Sequence, residues 1–198
     1  MKIGGLIVAA GLSSRMKDFK PMMKIGERSI IKRIILTFKK AKIDPIVIVT
    51  GFKANELESH LSDTDVICIR NENYRTTEMF DSVKIGLRYL KNRCEKILFT
   101  PCDIPLFSDE SIKKLIESNE LLAKPVYNSI GGHPILIDCS LIYSILSYSG
   151  DGGLKNAINS TNIPIKKIEV NDKGILLDAD TKEDYENLLF IYNEKINL

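Results

Sequence analysis

"LIVAAGLSSRMKDFKPMM", residues Leu6 to Met23, begins as a short apolar run and breaks at Gly11 into a long polar loop. If Leu6–Ala9 is a strand of a parallel sheet, the break delivers the following residues to the carboxyl edge of that sheet, where open α/β folds bind ligands. The rest of the chain supports the parallel sheet. Ile46–Val49, Val66–Ile69 and Ile97–Phe99 are further short runs rich in Val and Ile. They are continuous rather than alternating, as expected of central strands covered on both faces. Between them, "RSIIKRIILTFKKAK" sets Ile30, Ile31, Ile34, Ile35 and Phe38 on one helical face, and "MFDSVKIGLRYLK" does the same with Phe80, Val83, Leu87 and Leu90. Strands alternating with amphipathic helices predict an α/β fold, a mainly parallel sheet with helices on both faces.

After Ser108 the alternation is less regular. The spacing predicts a helix over about Asp109–Asn119, apolar segments at Pro125–Tyr127 and Pro134–Ile137, and a helix over Ser140–Ser147. "YSGDGGLKNAIN" reads as a glycine-rich loop entering a helix, "IKKIEV" and "GILLD" as strands, and "TKEDYENLLFIYNEK" as a closing helix with Thr181 at its N-cap and Asp184 three residues on. With 198 residues, 44% of them hydrophobic, and no repeat or linker, one domain spanning 1–198 is expected.

The 28 lysines and arginines are spread among 26 acidic residues for a net charge of +2, and the absence of a basic tract argues against nucleic-acid and membrane partners. Cys68, Cys94, Cys102 and Cys139 form no C-x-x-C pair, which disfavours a zinc site or disulfide framework and favours reduced thiols. The opening apolar run is too short to span a membrane and lacks the shape of a signal peptide, so a cytoplasmic location is expected.

The opening loop is neither of two common phosphate loops. Lys20 is followed by Pro21 instead of Ser or Thr, and neither the Walker frame nor G-x-G-x-x-G is present. What it offers is Gly11, where backbone N–H groups can approach an anion, the hydroxyls of Ser13 and Ser14, and two cations, Arg15 and Lys20. That set suits a triphosphate, although the same residue types also occur in ordinary solvated loops. A carboxylate at the end of a central strand can hold Mg²⁺ against phosphate oxygens, and Asp103 in "FTPCDIPLF" stands where the Ile97–Phe99 strand ends, between Pro101 and Pro105. The only histidines are His60 and His133, so no histidine-based triad is available.

"AAGLSSRMKDFKPMM" resembles the A-A-G-x-S-x-R-M-G-x-x-K-x-L signature of the MobA-like nucleotidyltransferases. "PCDIP" (Pro101–Pro105), "GGHPILI" (Gly131–Ile137), "GDGG" (Gly150–Gly153) and "DADTKEDY" resemble, in order, that family's metal-binding strand end, G-H-P-V-L-F, G-D-x-G and D-I-D-T-P-E-D segments. The resemblance covers nearly the whole chain. It implies a Rossmann-like sheet of the nucleotide-diphospho-sugar transferase type and transfer of a nucleotidyl group from an NTP to a phosphorylated acceptor, with residues 1–108 mainly binding the NTP and 109–198 mainly the acceptor.

Carried onto this sequence, the resemblance implies catalytic roles for Arg15, Lys20 and Asp103, with Mg²⁺ held by Asp103 and Asp180. Asp178 is the alternative second ligand, and capping of the last helix is a competing role for either residue. The nucleotide would contact Ala9, Ala10, Gly11, Ser13, Ser14, Arg15, Lys20, Asn73 and Ser82. His133, Asp151 and Lys155 would face the acceptor. A-A-G favours CTP over GTP, and molybdopterin is the leading acceptor. The chain departs from the pattern at Lys17 (usually Gly), Lys182 (usually Pro), Lys155 (often Arg) and "TEMFDSVKIGL" (G-M-S-S-S-L-x-x-G-L). Those departures leave open a sugar- or alditol-phosphate nucleotidyltransferase; a nucleotide-binding regulator without catalysis is a separate alternative, against which the retained Asp103, Lys20 and Arg15 argue.

Overall fold

A computed structural model describes residues 1–12, 16 and 18–196. Among the described residues ten strands lie in chain order, at Ile3–Ala9 (β1), Lys24–Ile25 (β2), Arg28–Ser29 (β3), Ile46–Thr50 (β4), Ile67–Arg70 (β5), Lys96–Pro101 (β6), Leu122–Tyr127 (β7), Ile130–Gly131 (β8), Ile135–Asp138 (β9) and Lys166–Glu169 (β10). The helices are Ile30–Lys40 (α1), Ala54–His60 (α2), Met79–Leu90 (α3), Asp109–Glu117 (α4), Ile142–Ser147 (α5), Gly153–Asn159 (α6) and Lys182–Ile196 (α7). Short 3-10 turns occur at Lys20–Met22, Cys139–Leu141 and Lys173–Leu176.

The main sheet runs β10-β7-β9-β6-β1-β4-β5, with β8 paired to β7. β6, β1, β4 and β5 are parallel to one another, and β9 runs antiparallel between β6 and β7. The mainly parallel sheet is therefore observed. β1 alternates between two cores. Ile3, Ile7 and Ala9 pack with α1 residues Ile34 and Phe38 on one face, while Leu6, Val8 and Ala10 pack with Val83 and Leu87 of α3 on the other. Helices thus cover both faces. The chain moves outward from β1 through β4 to β5, then crosses back to β6 on the other side of β1. The carboxyl ends of β1 and β6, in register at Val8 and Pro101, form the switch point where such sheets open a crevice.

Several expectations change. The strand expected at Val66–Ile69 is β5, which is an edge rather than a central strand. "GILLD" forms a 3-10 turn instead of a strand, because Asp172 accepts a hydrogen bond from Gly174 N (2.9 Å) and curls the chain. The expected helix to Asn119 stops at Glu117, with Asn119 at φ 52°. The α2 helix has only Leu57 buried, so it lacks the apolar stripe by which the longer helices are read. At the closing helix, Thr181 Oγ1 accepts from Asp184 N (3.2 Å) while Asp184 accepts from Thr181 N (2.8 Å), so the expected cap is present.

Asp172 ties two segments that converge on the switch point. Its buried carboxylate accepts from Ser108 N (2.7 Å), Ser111 Oγ (2.8 Å) and Gly174 N (2.9 Å). The 3-10 turn lies so close to the 103–108 loop that a Cβ on Gly174 would come within 2.0 Å of the Leu106 carbonyl oxygen. Asp172→Asn keeps the size but turns an NH₂ group toward N–H or O–H donors. A loss of about 2–4 kcal/mol is expected in urea unfolding, since charge-assisted bonds are broken and buried donors left unmatched. A change under about 0.5 kcal/mol, the range of an ordinary surface substitution, would show that the staple is not structural.

Candidate active site

A cavity of about 190 Å³ opens at this switch point. Its floor is the end of β1, Val8 to Gly11. One wall is Pro101, Cys102 and Asp103, where β6 ends, and the other is Tyr74, Thr77 and Glu78 before α3, with Met79 and Ser82 on the helix itself. Lys20 and Pro21 close one end. Ala9 and Ala10 are small and nearly buried. No described atom stands within 4 Å of where a Cβ on Gly11 would lie, so the backbone there is open to a ligand.

The polar centre lies at the Lys20 end. Lys20 Nζ is 2.7 Å from Asp180 Oδ1, an ion pair with side-chain exposures of 14% and 39%. Asp180 is brought there by the chain leaving the 3-10 turn, where Ala179 N donates to the Asp103 carbonyl oxygen (3.0 Å). Burial pushes the Asp103 carboxyl above the usual aspartate range; the Lys20 ammonium pulls the other way, and the charges of Asp180 and Asp178 push upward again. Asp178 is likewise raised by burial and by its neighbours Asp180 and Asp184. Cys102, buried beside Asp103, is held well above an ordinary thiol by desolvation first and by that carboxylate second, so it presents a thiol and not a nucleophilic thiolate.

Lys20, Asp103 and Asp180 thus meet in one place although 160 positions separate the first from the last. Ala9, Ala10, Gly11 and Ser82 line the same cavity. Ser13, Ser14, Arg15 and the departure at Lys17 lie outside the described residues. Asn73 is exposed and outside the cavity lining; its backbone carbonyl receives Thr77 Oγ1 (2.9 Å), and Thr77 and Tyr74 reach the cavity in its place. Nothing in the pattern of this polar stretch singled them out, since β5 ends just before it and α3 has not begun.

The three expected acceptor residues stand apart from this cavity lining. Asp151 and Lys155 are exposed, on the loop before α6 and in its first turns, where Gly152 and Gly153 take φ of 82° and 60°. That loop borders α3, as Lys84 Nζ donates to the Tyr148 carbonyl (2.9 Å). His133 packs edge-on against Phe99, with ring centroids 5.6 Å apart, and its Nδ1 is buried without a partner among the described residues. Burial lowers its pKa to about 4, so the ring is neutral at physiological pH. The geometry makes His133 a wall residue of the sheet.

Among the described residues no cluster of three or more acidic, His or Cys side chains is preformed for a metal. The donor set still fits a hard cation that takes one or two carboxylates and completes its shell with substrate phosphates and water. The Asp180 charge raises the cost of ionising Asp103, which a cation would relieve.

A crevice at the switch point of a parallel sheet, with an open backbone turn and paired carboxylates beside a lysine, defines a nucleotide-handling α/β enzyme. Residues 5–165 match the MobA-like NTP transferase domain, and the chain belongs to that family; it is a nucleotidyltransferase. The molybdenum cofactor cytidylyltransferase of Escherichia coli (strain K12) is 27% identical over 182 residues, covering 91% of this chain and 92% of its own. Two solved structures share the fold. A nucleotidyl transferase from Methanothermobacter thermautotroptrophicus gives a TM-score of 0.85 at 20% identity, over 98% of this chain and 99% of its own. Rv0371C of Mycobacterium tuberculosis H37Rv, solved in complex with manganese, gives 0.77 at 21% identity, over 96% and 99%. No described helix is long and apolar enough to cross a membrane.

Proposed function

We propose that the protein transfers a cytidylyl group from CTP to the phosphate of molybdopterin, releasing pyrophosphate. The observation that carries the catalytic part of this reading is the meeting of Asp103, Asp180 and Lys20 at one end of the cavity. An acceptor phosphate oxygen attacks the α-phosphorus of the NTP, the bond from that phosphorus to the bridging oxygen breaks, and pyrophosphate departs with the electron pair. The acceptor is already anionic, so no general base is required. Asp103 and Asp180 hold the divalent cation, Mg²⁺, on this reading. When bound, it polarises the phosphate oxygens and neutralises charge on the leaving group.

The remaining work is positioning and charge. The turn at Ala9–Gly11 admits the nucleotide close to the backbone, Ser82 lies along the other wall, and Ser13 and Ser14 add hydroxyls to the triphosphate. Lys20 and Arg15 meet the charge that grows on the β- and γ-phosphates. Asp151 and Lys155 take the acceptor, beside the backbone left accessible by Gly152 and Gly153. His133 supports that side as a neutral ring. The E. coli relative's name supports the acceptor, the A-A-G turn supports CTP, and the manganese complex of the mycobacterial fold relative supports a divalent cation.

The departures at Lys155 and in the Thr77–Leu87 stretch favour a second reading, a sugar- or alditol-phosphate acceptor. A panel of four NTPs against molybdopterin and sugar or alditol phosphates, read by pyrophosphate release, separates them. Turnover of CTP with molybdopterin at least tenfold above any other pair is expected. Turnover with a sugar or alditol phosphate but none with molybdopterin would overturn the acceptor assignment, and pyrophosphate release with GTP alone would overturn the base.

A further inference from the structure

Asn71 lies just beyond β5, is only 4% exposed, and does not line the nucleotide cavity. Every polar atom of its side chain is engaged. Its Nδ2 donates one bond to Thr77 Oγ1 and one to Ser82 Oγ, each 3.0 Å, and its Oδ1 accepts from Asn73 N at 3.0 Å. Turning the amide over would set an NH₂ group against the Asn73 N–H, so the orientation is fixed by its partners. Thr77 is equally committed, because it accepts from Asn71 and donates to the Asn73 carbonyl at 2.9 Å.

Ser82 is different. Its oxygen accepts from Asn71, which leaves the single hydroxyl hydrogen for another partner. A helical serine commonly returns that hydrogen to the carbonyl four residues back, here Glu78. Among the described residues neither that bond nor any other acceptor for the Ser82 hydroxyl is present. Ser82 is 3% exposed and lines the cavity. A nearly buried donor facing a cavity without a protein acceptor is unfavourable until a ligand supplies one.

We infer that Asn71 is a positioning residue that fixes the Ser82 hydroxyl as a hydrogen-bond donor toward the bound nucleotide, so that the site selects a base presenting an acceptor, a ring nitrogen or carbonyl oxygen, at that point. The inference rests on the cavity being the nucleotide site and deepens that reading. Cytosine meets the requirement at N3 or at O2; uracil meets it at O2 but not at N3, which carries a hydrogen, so a hydroxyl aimed at the N3 edge is the one that separates the two pyrimidines.

The test uses a change of polarity at constant shape. In Asn71→Asp a carboxylate oxygen replaces the NH₂ group, and the Ser82 hydroxyl turns to donate to it and away from the cavity. Ser82→Ala removes the donor outright. Binding of the four NTPs to each full-length variant is measured by calorimetry, beside steady-state turnover. Each substitution is expected to weaken the preferred NTP about tenfold, about 1.4 kcal/mol, while kcat at saturation changes little. The double variant is expected to lose no more than either single one, because both remove the same bond. A purely structural Asn71 predicts instead that folded N71D binds every NTP like the wild type, or that the losses of N71D and S82A multiply, and either result overturns the inference, as does S82A binding every NTP like the wild type. Should N71D not fold, Asn71→Ala, which also removes the bond to Ser82, takes its place in the double-variant comparison with S82A. If the wild type binds no NTP, both this inference and the nucleotide reading fall. If it binds and S82A binds equally well, only this inference does.

Discussion

Asp103→Asn is expected to give a folded protein whose metal-dependent turnover has fallen at least about a hundredfold. The amide keeps the shape but offers a divalent cation no negative charge, and loss of several kcal/mol of charge stabilisation corresponds to two or more powers of ten in rate. The same substitution is expected to raise the melting temperature at neutral pH without metal. Burial holds the Asp103 pKa above its unfolded value, with Asp180 and Asp178 adding to the shift. A raised carboxyl pKa favours the folded state while the group is protonated, and this contribution is lost as pH rises through the folded pKa. Above its folded pKa the wild type carries an ionised carboxylate that its surroundings resist, and asparagine removes that penalty. Below the unfolded pKa of about 3.9 the two proteins should differ little, because both side chains are then neutral. Pyrophosphate release and thermal unfolding across pH, each with and without Mg²⁺, measure the two effects. Near-normal turnover in the folded variant would remove Asp103 from the metal site.

The parts of this site that could be read from the sequence were those encoded locally. The continuous apolar runs at Leu6–Ala9 and Ile97–Phe99 marked strands covered on both faces, and they became β1 and β6, whose carboxyl ends flank the cavity. Asp103 could be placed because it directly follows such a run. What could not be read depends on contacts between distant segments. "GILLD" has a strand's apolar composition, and only the bond from Gly174 N to Asp172, within a network reaching Ser108 and Ser111, shows why it curls. Tyr74 and Thr77 belong to a polar stretch with no period. Their place on the cavity wall is set by buried Asn71, whose local sequence, Arg70-Asn71-Glu72, looks like an exposed turn. His133, which the resemblance sets toward an acceptor, packs its ring against Phe99, a partner that the pairing of β6 with β9 supplies and that the local sequence does not reveal.

Lys20→Ala is expected to lower kcat about a hundredfold while raising KM for the NTP only a few-fold, because charge grows on the leaving pyrophosphate between ground and transition state. The structure adds a second consequence. Lys20 is paired with Asp180 and lowers the pKa of Asp103. Without the ammonium, Asp103 retains the upward push of burial and of its acidic neighbours, so its pKa must rise. If the ionised carboxylate is needed to take up the metal, the acid limb of kcat/KM at subsaturating Mg²⁺ should move to higher pH in Lys20→Ala. The limb should return toward its original position as Mg²⁺ approaches saturation, since a bound cation supplies the missing positive charge. Stability should change little by comparison, by about 1 kcal/mol or less, because Asp180 is 39% exposed and an ion pair open to water contributes little. Steady-state kinetics across pH at two Mg²⁺ concentrations, with a parallel unfolding curve, separate these effects. A rise in KM alone, with kcat and the acid limb unmoved, would make Lys20 a binding clamp with no part in the transition state.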